Sequence, residues 1–197
     1  MKKGEHTRQD IIERSAELFN IYGYHGCSLS DIMAATQLRK GGIYNHFKNK
    51  DEIALAAFDY SFQEVIMRFR NRLDKDNTPA DKLYSIIAVF ESFASNPVVK
   101  GGCPIFNTAN DATDSHPELR QKAREAVNML LRYVEIKIEE GRESGAIRTD
   151  FDSSDFALFL VSTLEGALMI SRVNDDLSYM DRAANQMRNY LNNYLIS

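Results

Sequence analysis

A short segment near residue 40 carries the side chains of this 197-residue chain that are best suited to binding a polyanion. The segment LRKGGIYNHFKNKDEI, residues 38–53, sets basic and aromatic residues in close succession between apolar ends. Arg39 and Lys40 could reach base edges, and Tyr44 and His46 could hydrogen-bond phosphate oxygens. This combination of residue types indicates a nucleic-acid surface.

The same segment contains residues that neither a core helix nor a plain loop would need. Gly41 and Gly42 would let the backbone approach a phosphate or a base edge closely. Ile43 and Phe47 would attach the segment to a helical core. Lys50 falls at the predicted start of the next helix, where free N–H groups and the helix dipole favour an anion. The opposing interpretation is a solvated basic turn on an unrelated helical protein.

The elements that hold this segment are predicted to be helices. Apolar residues recur at helical spacing along the chain, and no segment alternates strictly as a strand would. Cap-like residues predict the starts of the first, second and fourth helices at Thr7, Ser28 and Asn49. The first helix is predicted to end near Gly23, and a short third helix covers residues 40–46. Because a four-residue turn joins the second helix to the third, the spacing is that of a helix-turn-helix unit.

The remainder of the chain continues the helical pattern. Further helix starts are predicted at Thr78-Pro79, Cys103-Pro104, Pro117, Asp152–Ser154 and about Leu177. The predicted fold class is all-α, with about nine helices. Residues 1–50 form a helix-turn-helix head and residues 51–197 form a helical body. No flexible linker separates them, so the boundary is expected inside the fourth helix.

Charge is divided unevenly between these two parts. Residues 1–50 hold eight Lys/Arg and five Asp/Glu, a net of +3, so the remainder of a chain whose net charge is −4 carries −7. A basic head on an acidic body predicts an anionic partner for the head alone. Two cysteines make no disulfide framework and favour a reducing compartment. The N-terminus does not resemble a signal peptide, and the apolar run 156–170 is short for a membrane span. A cytoplasmic protein is therefore expected.

Catalytic and cofactor signatures are absent from the sequence. It contains no glycine-rich phosphate loop, no HExxH and no CxxC. The scattered acidic residues lack the spacing of metal ligands. The chain is therefore predicted not to be an enzyme and to carry neither a cofactor nor a metal.

The segment from Thr7 to Ile53 resembles the N-terminal DNA-binding domain of the tetracycline-repressor (TetR) family. The resemblance rests on Leu18-Phe19, Gly23-Tyr24, Ser28, Asp31-Ile32, Lys40-Gly41, Tyr44-x-His46-Phe47 and Lys50. It implies an all-helical, Ω-shaped homodimer with a variable C-terminal ligand-binding domain. By this resemblance the chain is expected to be a repressor that binds a pseudo-palindromic, double-stranded operator and is released by a small-molecule effector.

The resemblance also implies roles for individual residues of the head. Phosphate contacts are expected from Ser28, Tyr44, His46 and Lys50, and base or near-base contacts from Arg39, Lys40 and Gly41. Three positions depart from the family pattern. Gln37 replaces the usual glycine of the turn, Arg39 replaces a small hydroxyl residue, and Cys27 replaces a threonine. The operator preference of relatives is therefore not carried over.

The body offers candidates for an effector pocket, although most of its aromatic and methionine residues are expected to be core. The candidate ligand-binding residues are Phe62, Phe93, Cys103, Phe106, Asn107, Asn110, Met129, Tyr133 and Glu165. Cys103 is either a reactive sensor at a helix start or a small buried hydrophobe. Glu165 either orients a ligand or pairs with an interface arginine, Arg172 or Arg188.

Two helices of the body are predicted to form the dimer interface. The helix from Ser153 is apolar nearly all round, and the last helix carries an apolar stripe that includes Met187, Tyr190 and Leu191. Two helices from each chain would give a four-helix bundle about a two-fold axis. The alternative is a constitutive DNA-binding or protein-interaction module without an effector, whose body serves only to dimerise.

Overall fold

The computed structural model describes residues 3–75, 78–112 and 116–195. Within those ranges the chain forms nine α-helices and a final π-helical turn, with no β-strand, so the predicted all-α class is confirmed. The helices are α1 (Lys3–Gly26), α2 (Leu29–Thr36), α3 (Lys40–Tyr44), α4 (Lys50–Leu73), α5 (Pro79–Ser95), α6 (Pro104–Asp111), α7 (Pro117–Glu143), α8 (Ser153–Val173) and α9 (Ser178–Tyr190), followed by the π-helical turn Leu191–Leu195.

Side-chain caps begin several of these helices where the sequence predicts them. The hydroxyl of Thr78 accepts a hydrogen bond from the backbone of Asp81, and Pro79 opens α5. Asp152 accepts bonds from two backbone N–H groups at the start of α8. The cap predicted at Thr7 is wrong, because α1 begins four residues earlier and Thr7 lies within it. The predicted end near Gly23 appears instead as a break with φ 72°, after which α1 continues to Gly26.

The first of two compact units contains the predicted head and more. It comprises residues 1–65 and 98–126, so the first two thirds of α4, all of α6 and the start of α7 pack with the three N-terminal helices. Contacts of α1 with α2 and with α6 organise this unit. The chain region that positions the predicted DNA-binding segment is therefore discontinuous in sequence.

The second unit comprises residues 66–97 and 127–197. Helices α5, α8 and α9 pack against one another, and the rings of Phe69, Phe90 and Phe93 meet edge to face. The predicted outward stripe of the last helix is wrong in part, because Met187 and Leu191 are buried within their own chain.

Helix α8 is long and apolar, with a mean hydropathy of 1.6 over its most apolar window. Half of that window is buried within the protein. The buried side of α8 faces its own unit, and the opposite side exposes apolar residues. Those exposed residues are Leu158, Phe159, Met169, Ile170 and Val173.

Candidate nucleic-acid interface

A small apolar core fixes the three N-terminal helices together. Ile11 and Ile12 of α1, Ile32 of α2 and Ile43 of α3 are buried in one cluster, which Cys27, Phe47 and Ile53 complete. Because helices as short as α2 and α3 are unstable alone, these buried contacts are what hold them in place. The predicted attachment of the basic segment through Ile43 and Phe47 is present.

Ser28 begins α2 by a reciprocal hydrogen-bonding arrangement with Asp31. The Ser28 hydroxyl accepts from the Asp31 backbone N–H at 3.2 Å and donates to the Asp31 carboxylate at 2.6 Å. The Ser28 backbone N–H donates to the same carboxylate at 2.7 Å. The hydrogen bonds from Ser28 lower the pKa of Asp31, which keeps the carboxylate charged. To donate its hydroxyl proton to a phosphate, Ser28 would have to release Asp31.

The turn between α2 and α3 contains a strained residue. Gln37 adopts the left-handed conformation, with φ 58° and ψ 23°, at the position where helices commonly end in glycine. The next residues are Leu38, which is half-buried, and Arg39, which is exposed. Arg39 occupies the cap position of α3, and its side chain makes no capping hydrogen bond. The exposed Arg39 side chain is therefore accessible to a partner.

Helix α3 presents Lys40, Gly41 and Tyr44 at the surface. The Lys40 ammonium lies 5.7 Å from the centroid of the Tyr44 ring. A Cβ atom built on Gly41 would meet no heavy atom within 4 Å, whereas one on Gly42 would contact the Leu38 side chain at 3.5 Å. The fold itself therefore gives no steric reason for glycine at position 41.

Lys50 contacts two parts of the aromatic residue Tyr24. The Lys50 ammonium donates a hydrogen bond to the Tyr24 carbonyl and lies 4.2 Å from the centroid of the Tyr24 ring. An ammonium has three donors, so two remain for another acceptor. His46, another predicted phosphate contact of this segment, is half-buried.

Tyr24 also contacts three acidic or basic side chains that the sequence analysis left without a role in this site. The Tyr24 hydroxyl donates to the carboxylate of Asp51, and its backbone N–H donates to Asp111 at the end of α6. The ring of His116 meets the Tyr24 ring edge to face at 4.7 Å. Burial, followed by the hydrogen bond and the charge of Asp51, raises the pKa of Tyr24 to about 12, so the hydroxyl remains a donor. The Gly23-Tyr24 motif was the available sequence signal, but its partners are distant in sequence.

A second set of polar contacts joins α6 to α1. The buried Asn20 side chain donates to the carbonyls of Lys100 at 2.9 Å and Gly102 at 3.1 Å. Asn107 donates to the Asn20 side-chain oxygen at 2.9 Å and to the carbonyl of Gly101 at 2.7 Å. The amide of Asn107, predicted to bind a ligand, is therefore engaged within the fold, and its ligand role stays a prediction.

The other ligand candidates of the first unit lie in varied surroundings. Cys103 is buried, with 3% of its surface exposed, and occupies the cap position of α6, where its side chain makes no capping hydrogen bond. Phe62 stacks on Phe58, while Phe106 is half-buried and Asn110 is exposed. A nearby cavity of about 30 Å³ has none of these predicted residues in its lining, and it has room for about two water molecules. Its polar lining residues are Asn20, Tyr24, Ser61, Thr108 and Asp111.

The ligand candidates of the second unit also differ in exposure. Phe93 is fully packed, Glu165 is 9% exposed, and Met129 is 54% exposed on α7. The Lys137 ammonium lies 5.2 Å from the centroid of the Tyr133 ring. Arg188, one of the two arginines proposed as partners of Glu165, donates to both carboxylate oxygens of Glu91 instead.

Comparisons with known proteins agree with this geometry. Residues 11–57 match the family model described as bacterial regulatory proteins, tetR family, and residues 79–187 match a tetracyclin repressor-like C-terminal domain. The crystal structure of a TetR transcriptional regulator from Chloroflexus aurantiacus J-10-FL is 37% identical, with a TM-score of 0.96 and coverage of 100% of this chain and 99% of that chain.

Two further relatives have names that describe a function. The HTH-type transcriptional repressor DhaR of Mycobacterium sp. strain GP1 is 24% identical over 89% of this chain and 87% of its own length. The structure of the regulator FadR from Bacillus subtilis in complex with stearoyl-CoA is 25% identical, with a TM-score of 0.71 and coverage of 90% and 95% of the two chains. Together with the helix-turn-helix geometry, these matches show that the chain belongs to the tetR family of bacterial regulatory proteins and is a transcriptional regulator, not an enzyme.

Proposed function

We propose that this protein is a cytoplasmic repressor that binds a pseudo-palindromic operator as a homodimer and is released by a small-molecule effector. The observation that carries the proposal is the surface of α3. Its exposed basic and tyrosine side chains surround a glycine that the fold does not require sterically. A bare backbone at that point suits close approach to a DNA groove.

The proposed base contacts come from Arg39, Lys40 and Gly41, which occupy the first turn of α3. In helix-turn-helix proteins the N-terminal residues of the second helix of the unit reach the base edges. The proposed phosphate contacts come from Ser28, Tyr44, His46 and Lys50. Phosphate contacts fix the register of a protein on DNA, whereas base contacts carry its sequence preference.

The exposed apolar side of α8 supports the proposed homodimer. Val173 is 81% exposed and continues a stripe of apolar residues along one side of the helix. The middle of that stripe is small, because it holds Ser162 and Gly166, and a Cβ on Gly166 would meet nothing within 4 Å. Small residues between large apolar ones allow two helices to approach closely. A two-fold pair of such faces would match a pseudo-palindromic operator.

Release by an effector is proposed from the matched C-terminal domain and from relatives. The related FadR structure contains stearoyl-CoA, which makes long acyl-CoA thioesters a rational first probe. The candidate pocket residues remain those named from the sequence, and the aromatic and methionine side chains among them suit an apolar ligand.

Selection of bound duplexes from a random DNA library tests the proposed operator binding. The full-length protein is expected to enrich an inverted repeat with two half-sites about one or more helical turns apart. The Arg39→Ala variant should relax base preference at one or two positions in each half-site, whereas Lys50→Ala should weaken all sequences alike. Enrichment of no sequence at low salt would contradict operator binding.

A thermal-shift screen followed by DNA-release measurements tests the effector. A ligand that binds only the folded protein raises its apparent melting temperature, and an effector should also dissociate the selected duplex. Stearoyl-CoA, free stearate and coenzyme A form the first panel. If a wider chemical library also gives neither a shift nor release, the second candidate function, a constitutive DNA-binding dimer, replaces the first.

A further inference from the structure

One residue of the first unit connects elements that are far apart in sequence. Tyr24 lies just after the break in α1, and it contacts the start of α4, the end of α6 and the residue that precedes α7. Each contact uses a different part of the residue: the carbonyl and ring face for Lys50, the hydroxyl for Asp51, the backbone N–H for Asp111 and the ring for His116.

The start of α4 presents a cation and an anion on successive residues. Lys50 is a proposed phosphate contact, and the carboxylate of Asp51 next to it would repel a phosphate or pair with the lysine. In the structure the two charges have separate partners on Tyr24. The ring and carbonyl hold the Lys50 ammonium, and the hydroxyl holds the Asp51 carboxylate.

His116 lies beside the Asp51 carboxylate but does not hydrogen-bond to it. Its Nδ1 accepts a hydrogen bond from the Leu119 backbone N–H at 3.2 Å, so the neutral ring carries its proton on Nε2. That Nε2 lies 3.8 Å from the nearer Asp51 carboxylate oxygen, and the His116 side chain is buried. The Asp51 carboxylate is therefore held by the Tyr24 hydroxyl, and the His116 ring is a neighbour at a distance too long for a hydrogen bond.

The end of α6 contacts the same residue, Tyr24, through Asp111. The Asp111 carboxylate accepts the Tyr24 backbone N–H, and the close approach depends on glycine at position 23. A Cβ on Gly23 would lie 2.6 Å from an Asp111 carboxylate oxygen, and φ there is +72°. Displacement of Asp111 would therefore act directly on the residue that orients Lys50 and Asp51.

We propose that Tyr24 is a positioning residue for DNA binding, which keeps the Lys50 ammonium free of Asp51 and links both to Asp111 at the end of α6. The inference rests on the proposed operator binding and on the phosphate role of Lys50. Loss of the Tyr24 hydroxyl removes the hydrogen bond that holds the Asp51 carboxylate, whose negative charge could then act on the adjacent Lys50 ammonium. Loss of the Asp111 carboxylate removes the side-chain acceptor of the Tyr24 N–H and loosens the same residue.

A double-mutant cycle in DNA binding tests the first half of the proposal. The probe is the duplex selected by the wild-type protein, and the variants are Tyr24→Phe, Asp51→Asn and their combination. Tyr24→Phe is expected to weaken binding about three- to ten-fold at low salt, and less than about two-fold once salt screens the charges. In the Asp51→Asn background, Tyr24→Phe should lower the DNA affinity by less than about two-fold, because position 51 then carries no carboxylate.

The neighbouring Tyr22 provides the matched control. It lies on the same helix and is 60% exposed, and Tyr22→Phe removes a hydroxyl of the same chemistry from a more exposed position. A Tyr24→Phe effect equal to that of Tyr22→Phe, or an equal loss in both Asp51 backgrounds, would overturn the proposal. Circular dichroism of each variant establishes that the compared proteins are folded.

The pair Asp111→Asn and Asp111→Ala tests the link to α6 independently. The Asp111→Asn variant retains an oxygen that accepts a hydrogen bond from the Tyr24 N–H, so its DNA affinity should lie within about two-fold of the wild-type value. The Asp111→Ala variant should bind DNA about three- to ten-fold more weakly than wild type. Equal affinities for the two folded variants would overturn the link. If the wild-type protein selects no duplex at all, operator binding fails, whereas wild-type binding with silent Tyr24 and Asp111 variants refutes this inference alone.

Discussion

Replacement of Gly41 by alanine should change stability and DNA binding in opposite directions. Gly41 lies in α3, its φ is not in the left-handed region, and a Cβ there would meet no atom of the protein within 4 Å. Alanine is favoured over glycine in a helix by about 0.5–1 kcal/mol. For a chain of this size that gain corresponds to a rise in melting temperature of about 1–4 °C.

The same methyl group should weaken operator binding. If the Gly41 backbone approaches a base edge or phosphate, an added Cβ must displace one of the surfaces, at a cost of about 1–3 kcal/mol. This cost corresponds to a loss of affinity of about 5- to 150-fold. Fluorescence anisotropy with the selected duplex measures the loss, and thermal unfolding without DNA measures the gain.

Gly42→Ala is the matched control for this substitution. Its Cβ would contact the Leu38 side chain at 3.5 Å, an ordinary van der Waals distance within the fold. The control should therefore gain stability to a similar extent and keep its DNA affinity within about two-fold. If Gly41→Ala bound DNA as well as Gly42→Ala, the close approach of α3 to DNA at this point would be refuted. A destabilised Gly41→Ala protein would refute the assignment of open space there.

Three further substitutions or measurements follow from single features of the structure. Gln37→Gly should raise the free energy of unfolding by about 0.5–1 kcal/mol, because Gln37 is left-handed with φ 58°; chemical denaturation measures this, and an unchanged or lower value would contradict the strain. Cys27 should resist alkylation by iodoacetamide near neutral pH, because burial raises its pKa from 9.0 to about 11 and so lowers its thiolate fraction about 100-fold. Rapid alkylation of Cys27 in the folded Cys103→Ser variant would contradict this prediction. Gly166→Phe should convert a dimer to folded monomers by filling the small centre of the exposed α8 face, and light scattering that shows an unchanged dimer would exclude this face as the interface.

Helical periodicity and local caps determined most of the secondary structure from sequence alone. The caps at Ser28, Thr78 and Asp152 are local, because each side chain bonds to a backbone N–H two or three residues ahead. The short α3 and its basic residues were also recognisable from the sequence, because they lie within one short segment, residues 38–53. The start of α1 was mispredicted at Thr7, because a cap-like pair within a helix has the same residue spacing as one that begins a helix.

Long-range contacts, in contrast, were decided only by the tertiary structure. The sequence indicated Lys50 at the start of α4, but not that its ammonium would lie on the Tyr24 ring, 26 residues earlier. Asp111 appeared as one of several scattered acids, yet it binds the backbone 87 residues away. No local pattern encodes such pairs, because they depend on how α4 and α6 pack against α1.

The sequence also could not decide which faces of α8 and α9 are exposed. The sequence marked α8 as apolar nearly all round and gave the last helix an apolar stripe, which is enough to predict burial but does not identify the surface that buries it. Packing within the chain buries Met187 and Leu191 and leaves Leu158 and Val173 exposed. Periodicity defines which residues share a side of a helix, whereas the choice between the chain's own core and a partner is made by the arrangement of neighbouring helices.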